Sequence, residues 1–316
     1  MTAHILINLL QALVVLLLAP LAKGVLNRLK ERLQSRRGPP VLQPYYDLWK
    51  LFHKDEVVSE HSSWVFRVAP YLVFTAPLLV TLLIPVLTAY PLFMAFMADM
   101  VGAGFILALG GFFASAAAID TANPYGAMGA SRTRMVGFLV EPIFMMIFFA
   151  VSFTANSTIP YIVQQRWVAS AAAFFAPAHL LVIAAFVMII LAETGKIPVD
   201  NPAGDFELAM IDEAKNLEYS GRGAALVHWG GSMKLLVLMC VLLNVLVTPW
   251  GLAKSTEPLE VLAAIPLVSL KVLLFIVVLA VIEASLAKLR LFRIPDFLGA
   301  AFVTAFVALI LHVFSW

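Results

Sequence analysis

Eight stretches of this chain are apolar for about as long as a bilayer is thick, and that leaves few folds open to it. A hydrocarbon core of ~30 Å is crossed by ~20 residues of α-helix, and inside it every backbone N–H and C=O must be paired. The stretches run over about 4–22, 68–90, 92–119, 135–155, 172–192, 233–250, 260–284 and 297–315. Composition points the same way: 62% of the 316 residues are hydrophobic and 13% are charged, against roughly 25% charged in soluble domains. The expected fold is an all-α integral membrane protein of about eight transmembrane helices, forming a single membrane domain over 1–316. Pro70, Pro77 and Pro85 predict a kinked second span whose freed carbonyls are satisfied by neighbouring helices.

The distribution of Lys and Arg orients these spans. Loop 1–2 carries Lys23, Arg28, Lys30, Arg32, Arg36, Arg37, Lys50, Lys54 and Arg67. Loop 3–4 carries Arg132 and Arg134, loop 5–6 Lys196, Lys215 and Arg222, and loop 7–8 Lys288, Arg290 and Arg293. The even loops hold Arg166 and Lys254 alone. By the positive-inside rule the odd loops are cytoplasmic and both termini lie outside. The first apolar run has only His4 before it and a basic stretch after it, so it reads as a retained span rather than a cleaved leader. The net charge of +2 is no sign of nucleic-acid binding, because the basic residues cluster at the ends of apolar stretches.

Two loops are more than connectors. In loop 1–2, Tyr45, Leu48, Trp49 and Phe52 recur at helical spacing opposite Asp47, Lys50 and Lys54, which predicts a short amphipathic helix on the membrane surface. Loop 5–6, from Lys196 to about Gly231, holds Asp200, Asp205, Glu207, Asp212, Glu213 and Glu218. Acidic groups on the positive side do nothing for topology. They mark either a solvated surface or a docking surface and the mouth of a proton path.

Charges inside spans cost ~2.5–3.5 kcal/mol each on insertion scales and are functional candidates by default. Asp99, Asp120, Glu141, Glu193, Lys234, Lys271 and Glu283 fall in or at the ends of spans. Of these, Asp120, Glu141, Glu193, Lys234 and Glu283 share a position near the cytoplasmic end of their helix, and are expected to converge as a wet cluster with coupled titrations. The alternative is a static salt-bridged lock, or side chains that snorkel one by one. His179 and His312 on separate spans make a poor haem pair, and are expected as packed or interfacial side chains. The Gly102–Gly104 and Gly110–Gly111 pairs predict close helix packing. Cys240 is the one cysteine, which excludes an internal disulfide and iron–sulfur ligation within this chain. There is no nucleotide-binding glycine motif, nucleophile elbow or convincing internal repeat.

Several segments resemble a known family in order along the whole chain. They are Arg36-Arg37-Gly38-Pro39 with Leu42 through Phe52; Asp120-Thr121 through Arg132, followed by Glu141; Glu193-Thr194-Gly195-Lys196-Ile197-Pro198-Val199-Asp200-Asn201-Pro202; Glu207-Leu208, Glu213-Ala214 and Leu217 through Gly221; and Glu283 through Arg293. The family is that of formate hydrogenlyase subunit 4 and hydrogenase-4 component C, membrane subunits of group 4 nickel–iron hydrogenases. It is related to the quinone-site membrane subunit of respiratory complex I. Only Pro40 and Val41 separate Pro39 from Leu42 here, where complex I subunits insert a longer segment that helps shape their quinone chamber. Val199-Asp200-Asn201-Pro202 is likewise similar to the hydrogenase-4 type.

The resemblance implies a subunit in a bacterial or archaeal cytoplasmic membrane, coupling redox chemistry to ion movement without a redox centre of its own. Iron–sulfur clusters and a nickel–iron centre would belong to hydrogenase small and large subunits on the cytoplasmic side, with antiporter-like subunits beside it in the lipid. Asp205 and Glu207 join the five buried charges as proton-route candidates. Arg36, Arg37, Asp47, Lys50, Arg132, Asp200, Glu213, Glu218 and Arg290 are arm-docking candidates. The other readings are a quinone-site subunit of a complex I-type dehydrogenase, a stand-alone secondary transporter and a purely structural anchor.

Overall fold

The computed structural model describes residues 2–90, 99–169, 174–201 and 210–314, and among these the regular structure is helical throughout. Ten α-helices follow in order: α1 Thr2–Leu33, α2 Gln43–Phe52, α3 Trp64–Leu83, α4 Met100–Asp120, α5 Pro124–Ala155, α6 Pro160–Ala169, α7 Pro177–Glu193, α8 Gly221–Cys240, α9 Pro258–Ser285 and α10 Ile294–Phe314. Their starts are written in local chemistry. Ser63, Asp99 and Asn123 cap α3, α4 and α5 by accepting hydrogen bonds from the backbone N–H groups of Val65, Val101 and Tyr125. Pro124, Pro160, Pro177 and Pro258 occupy first-turn positions, where a missing N–H is harmless.

Among the described residues, seven helical segments are long and apolar enough to cross a membrane: those containing α1, α3, α4, α5, α8, α9 and α10. The eighth expected span is α7, apolar but only 17 residues long. Hydropathy located the spans but not the helix ends, because it reports where lipid stops rather than where the helix stops. At 1.5 Å per residue the 32 residues of α1 extend ~48 Å. Its last dozen, carrying Lys23, Arg28, Lys30 and Arg32, therefore stand beyond the apolar part. The fourth and sixth spans begin earlier than expected, at Pro124 and Gly221, which shortens the acidic loop. The second ends at Leu83 rather than 90, and the early part of the expected third span, 92–98, lies outside the described residues.

Helix α8 is the hub: 83% of its apolar stretch is buried, against 22% for α10 with its preceding turn and 28% for α9. It packs against α1, α2 and α3, while α3–α4, α4–α5, α5–α10, α7–α10 and α1–α9 complete the bundle. The glycine expectation holds in part. A Cβ on Gly110 would lie 3.2 Å from Ala76 on α3, and one on Gly104 would lie 3.2 Å from Phe144 on α5, whereas Gly111 faces open space. Gly24 matters more. A Cβ there would collide with the Val41 carbonyl oxygen, because the α1–α2 connection crosses α1 at that point.

At the end of the bundle away from the basic loops, helix breaks are stitched by two amides and one lysine. Gln11, fully buried in α1, donates from Nε2 to the carbonyls of Thr81 and Ile84, and its Oε1 accepts from Leu87 N–H at 3.2 Å. Helix α8 continues as a π-helix over Val241–Val247, and Asn244 within it donates to Pro85 and Val86 carbonyls at 3.0 Å each. These bonds satisfy the carbonyls freed where α3 stops short of Pro85. Lys271 of α9 donates to the Thr248 carbonyl at 2.7 Å and to that of Trp250, capping the π-helix with its ammonium group.

Candidate functional site

The charges at the basic end form two neighbouring networks rather than one cluster. In the first, Glu283 near the end of α9 is fully buried. Lys30 of α1 donates to its Oε2 at 2.9 Å, and Lys196, just past α7, lies 3.9 Å from its Oε1. The three side chains are at most 10% exposed. One carboxylate thus faces two ammonium groups inside the protein. Burial pushes the Lys196 pKa below its ordinary value; Lys23 and Lys30 push the same way, and Glu283 opposes them.

In the second network, Lys234 of α8 donates to Glu193 at the end of α7 at 2.7 Å, each side chain about one-fifth exposed. This pair borders a narrow cavity of about 50 Å³ whose wall also includes Glu141, Arg134, Asp200, Asp212 and Lys215. Glu141 on α5 is bound by Arg134 at 3.0 Å and is half-exposed at the flank of the bundle. Lys215 lies 2.5 Å from Asp212. Burial pushes the Asp212 carboxyl up, but Lys215, Lys234 and Lys23 together outweigh it and hold the group below its ordinary value. Between the networks lies a larger cavity of about 290 Å³, lined by Lys23, Lys30, Lys196, Asp212, Glu213 and His228 among others. Buried and half-buried carboxylates and ammonium groups around water-sized space are what a proton-transfer path requires.

Several expectations are corrected here. Asp120 does not join either network. Its Oδ2 accepts from Ser63 N–H at 2.7 Å, Ser63 Oγ at 2.9 Å and Phe66 N–H at 3.4 Å, so it ties the end of α4 to the start of α3. Glu283 belongs to the first network and Glu141, Glu193 and Lys234 to the second, so the five charges do not converge on one point. Asp200 is 1% exposed. It accepts from the N–H groups of Asn201, Ile211 and Asp212 and from Lys288 Nζ, pinning the loop from inside where no docking partner reaches. Asp205 and Glu207 lie outside the described residues.

Among the other docking candidates, Arg36, Arg37, Asp47, Lys50 and Arg290 are exposed. Arg132 is half-buried and donates to the Met210 carbonyl at 3.2 Å; Glu213 is half-buried, and so is Glu218, which accepts from Asn123. The surface helix α2 exists as expected, with one difference. Leu48 is buried while Tyr45 and Phe52 are half-buried, but Trp49 is 70% exposed and packs on His53 at its outer side. His179 is buried, its Nε2 2.9 Å from the Leu246 carbonyl and its ring 4.0 Å from that of Trp167, and His312 contacts Thr154.

Sequence reasoning misses Lys30, Lys196, Lys215 and His228 as site residues, and reads Asp212 only as one member of the acidic stretch in loop 5–6. Lys30 reads as a loop charge because the apolar run of the first span ends at 22. For Lys196 a signal was available in its position three residues after Glu193.

The comparisons with known proteins cover nearly the whole chain. The family model for NADH dehydrogenase matches residues 5–314. Formate hydrogenlyase subunit 4 of Escherichia coli (strain K12) is 34% identical over 310 residues, covering 97% of this chain and 98% of the relative. Hydrogenase-4 component C of the same organism is 32% identical, covering 94% and 92%. A chain in the structure of the membrane-bound sulfane sulfur reductase, an archaeal respiratory membrane complex, superposes with a TM-score of 0.85 at 19% identity, covering 98% of this chain and 99% of that one. That last likeness is one of fold.

Proposed function

This chain belongs to the NADH dehydrogenase family, and we propose that within it the chain is the membrane-arm subunit that anchors a hydrogenase-type redox arm and couples its chemistry to ion movement. The observation that carries the reading is the Glu193–Lys234 pair. It sits at the basic end beside cavities that reach Glu141 on one side and Asp212 on the other, in a chain alike end to end to formate hydrogenlyase subunit 4. An ion pair that only locked helices together would be sealed; this one borders space for water.

In this reading α7 is the eighth span, since 17 residues of helix reach ~26 Å, the lower limit for a crossing. The basic end is cytoplasmic and both termini are outside. The peripheral arm docks on the exposed Arg36, Arg37, Asp47, Lys50 and Arg290. The redox metals belong to the arm, because iron–sulfur clusters need several thiolates and Cys240 is alone and buried in α8. Protons enter near the 290 Å³ cavity, pass Asp212 and the Glu193–Lys234 pair, and leave at Glu141 on the flank, where an antiporter-like membrane subunit takes them up.

Crosslinking from Arg36, Arg37 and Arg290 in native membranes is the test. Links to an iron–sulfur subunit support the reading. Links confined to Arg166 or Lys254, or solute flux by the purified chain alone, contradict it. A quinone-site role is the second reading, favoured by a 400 Å³ cavity beneath α2; reduction of a quinone by the assembled complex would establish it.

A further inference from the structure

The cavity beneath α2 has a chemistry that the coupling function does not use. It is bounded by Lys23, Gly24 and Asn27 of α1, by Pro39 and Pro40 of the connection, by α2, and by His228 and Ser232 of α8. Its height in the membrane can be read from the sequence. The apolar run of α1 ends at Ala22, so a cavity that begins at Lys23 lies at the level of the lipid headgroups. Contacts fix α2 at that level: Tyr45 donates to the Leu17 carbonyl, and Phe52 packs edge-on against Trp229, whose Nε1 donates to the Leu16 carbonyl. Tyr46 and Trp49 stand exposed on the outer side of α2, as aromatic side chains do at a membrane interface.

The lining is divided by polarity. Pro40, Pro44, Leu48 and Leu51 give an apolar wall, while Lys23, Lys50 and Lys54 bring three ammonium groups. The ammonium group of none of these lysines makes an ion pair or a hydrogen bond among the described residues, and Lys23 acts on Asp212 only at longer range. The one carboxylate in the wall, Asp47, is engaged by Gln43 Nε2 at 2.8 Å. Three unpaired cations beside an apolar wall at headgroup depth call for an anion that carries its own hydrocarbon. A neutral quinone ring would leave them unmatched. At about 400 Å³ the space is within the range of small-molecule sites and admits a headgroup with its glycerol.

We propose that this cavity is a specific site for an anionic phospholipid, whose phosphate is held by Lys23, Lys50 and Lys54 and whose glycerol and upper acyl chains lie along Pro40, Pro44, Leu48 and Leu51. Such a lipid fastens α2 to the bundle, and it does so whether or not the coupling function is correct.

The test places the full chain in phosphatidylcholine nanodiscs with a trace of photoactivatable phosphatidylglycerol or phosphatidylcholine, and maps the labelled peptides by mass spectrometry. The phosphatidylglycerol probe labels 39–54 and 228–232 about tenfold above the phosphatidylcholine probe, and each Lys→Gln change at 23, 50 or 54 lowers that preference by roughly fivefold at most. Lys54→Arg retains it, and millimolar inorganic phosphate leaves it unchanged. Equal labelling by the two probes overturns the proposal. So does displacement by free phosphate, which would mean a simple anion site, or preferential labelling by a photoactivatable quinone. Helical content and labelling along α9, equal in all variants, separate loss of the site from loss of the fold.

Discussion

The two ends of this bundle deal with buried polarity in opposite ways. At the end away from the basic loops, amides do most of the work: Gln11 and Asn244 close the break after α3, and Lys271 caps a π-helix without a carboxylate partner in reach. At the basic end carboxylates and ammonium groups are paired, and the pairs border cavities. Amides have no proton to give or take as acids or bases, whereas carboxylates and ammonium groups do. In the proposed function the difference separates groups that hold the helices from groups on the route.

The sharpest break of this comparison is removal of a buried charge. Glu283→Leu leaves Lys30 and Lys196 facing each other without a counter-ion, and is expected to destabilise the protein by about 3–5 kcal/mol. Adding Lys30→Met recovers much of that loss. Thermal unfolding followed by size exclusion in detergent reads both; a single variant as stable as the parent would mean that water in the bordering cavity hydrates the two ammonium groups well enough without Glu283. Next in size is Asn244→Leu, which strips the Pro85 and Val86 carbonyls of their donor and should lower stability by about 2–3 kcal/mol. It should leave the pH dependence of ion transport where it was. A shifted profile would bring Lys271, whose Nζ lies 3.4 Å from Asn244 Oδ1, onto the route.

Lys196 gives a smaller and signed effect. Its folded pKa lies below 10.5, so the unfolded chain binds more protons between the lowered value and 10.5, and stability rises with pH through that window. Lys196→Met should flatten the rise; an unaltered slope would assign it to another group. Asp212 gives a slope of the same sign in an acidic window, its depressed pKa contributing stability that is fully present above 3.8 and lost as pH falls through the folded value. The smallest expected change is Asp120→Asn, about 1 kcal/mol as for the loss of a helix cap, with ion transport unaffected. Loss of transport in a stable Asp120→Asn protein would return that residue to the route.

Much of the fold was legible because membrane insertion is written in runs of hydrophobicity, and because caps and prolines mark helix starts. What stayed hidden depends on tertiary geometry. Lys30 and Glu283 are 253 positions apart, and nothing local to either announces that a helix running past the lipid boundary brings them to 2.9 Å. Asp120 and Asp200 read as functional charges because any buried carboxylate does. Only their backbone N–H partners reveal that they organise a helix start and a loop. Glu193 and Lys234 were legible as members of one candidate cluster, because both lie near the same end of their helices, but not as a pair.

The central claim is that the Glu193–Lys234 pair carries charge rather than merely joining α7 to α8. The direct measurement is redox-driven ion transport in vesicles containing the assembled complex with Glu193→Gln, a change that keeps shape and hydrogen bonding but removes titration. The account predicts an intact complex whose redox activity persists while transport falls by about tenfold or more, the scale of losing one positioned acid–base group. Full transport in that variant would contradict it.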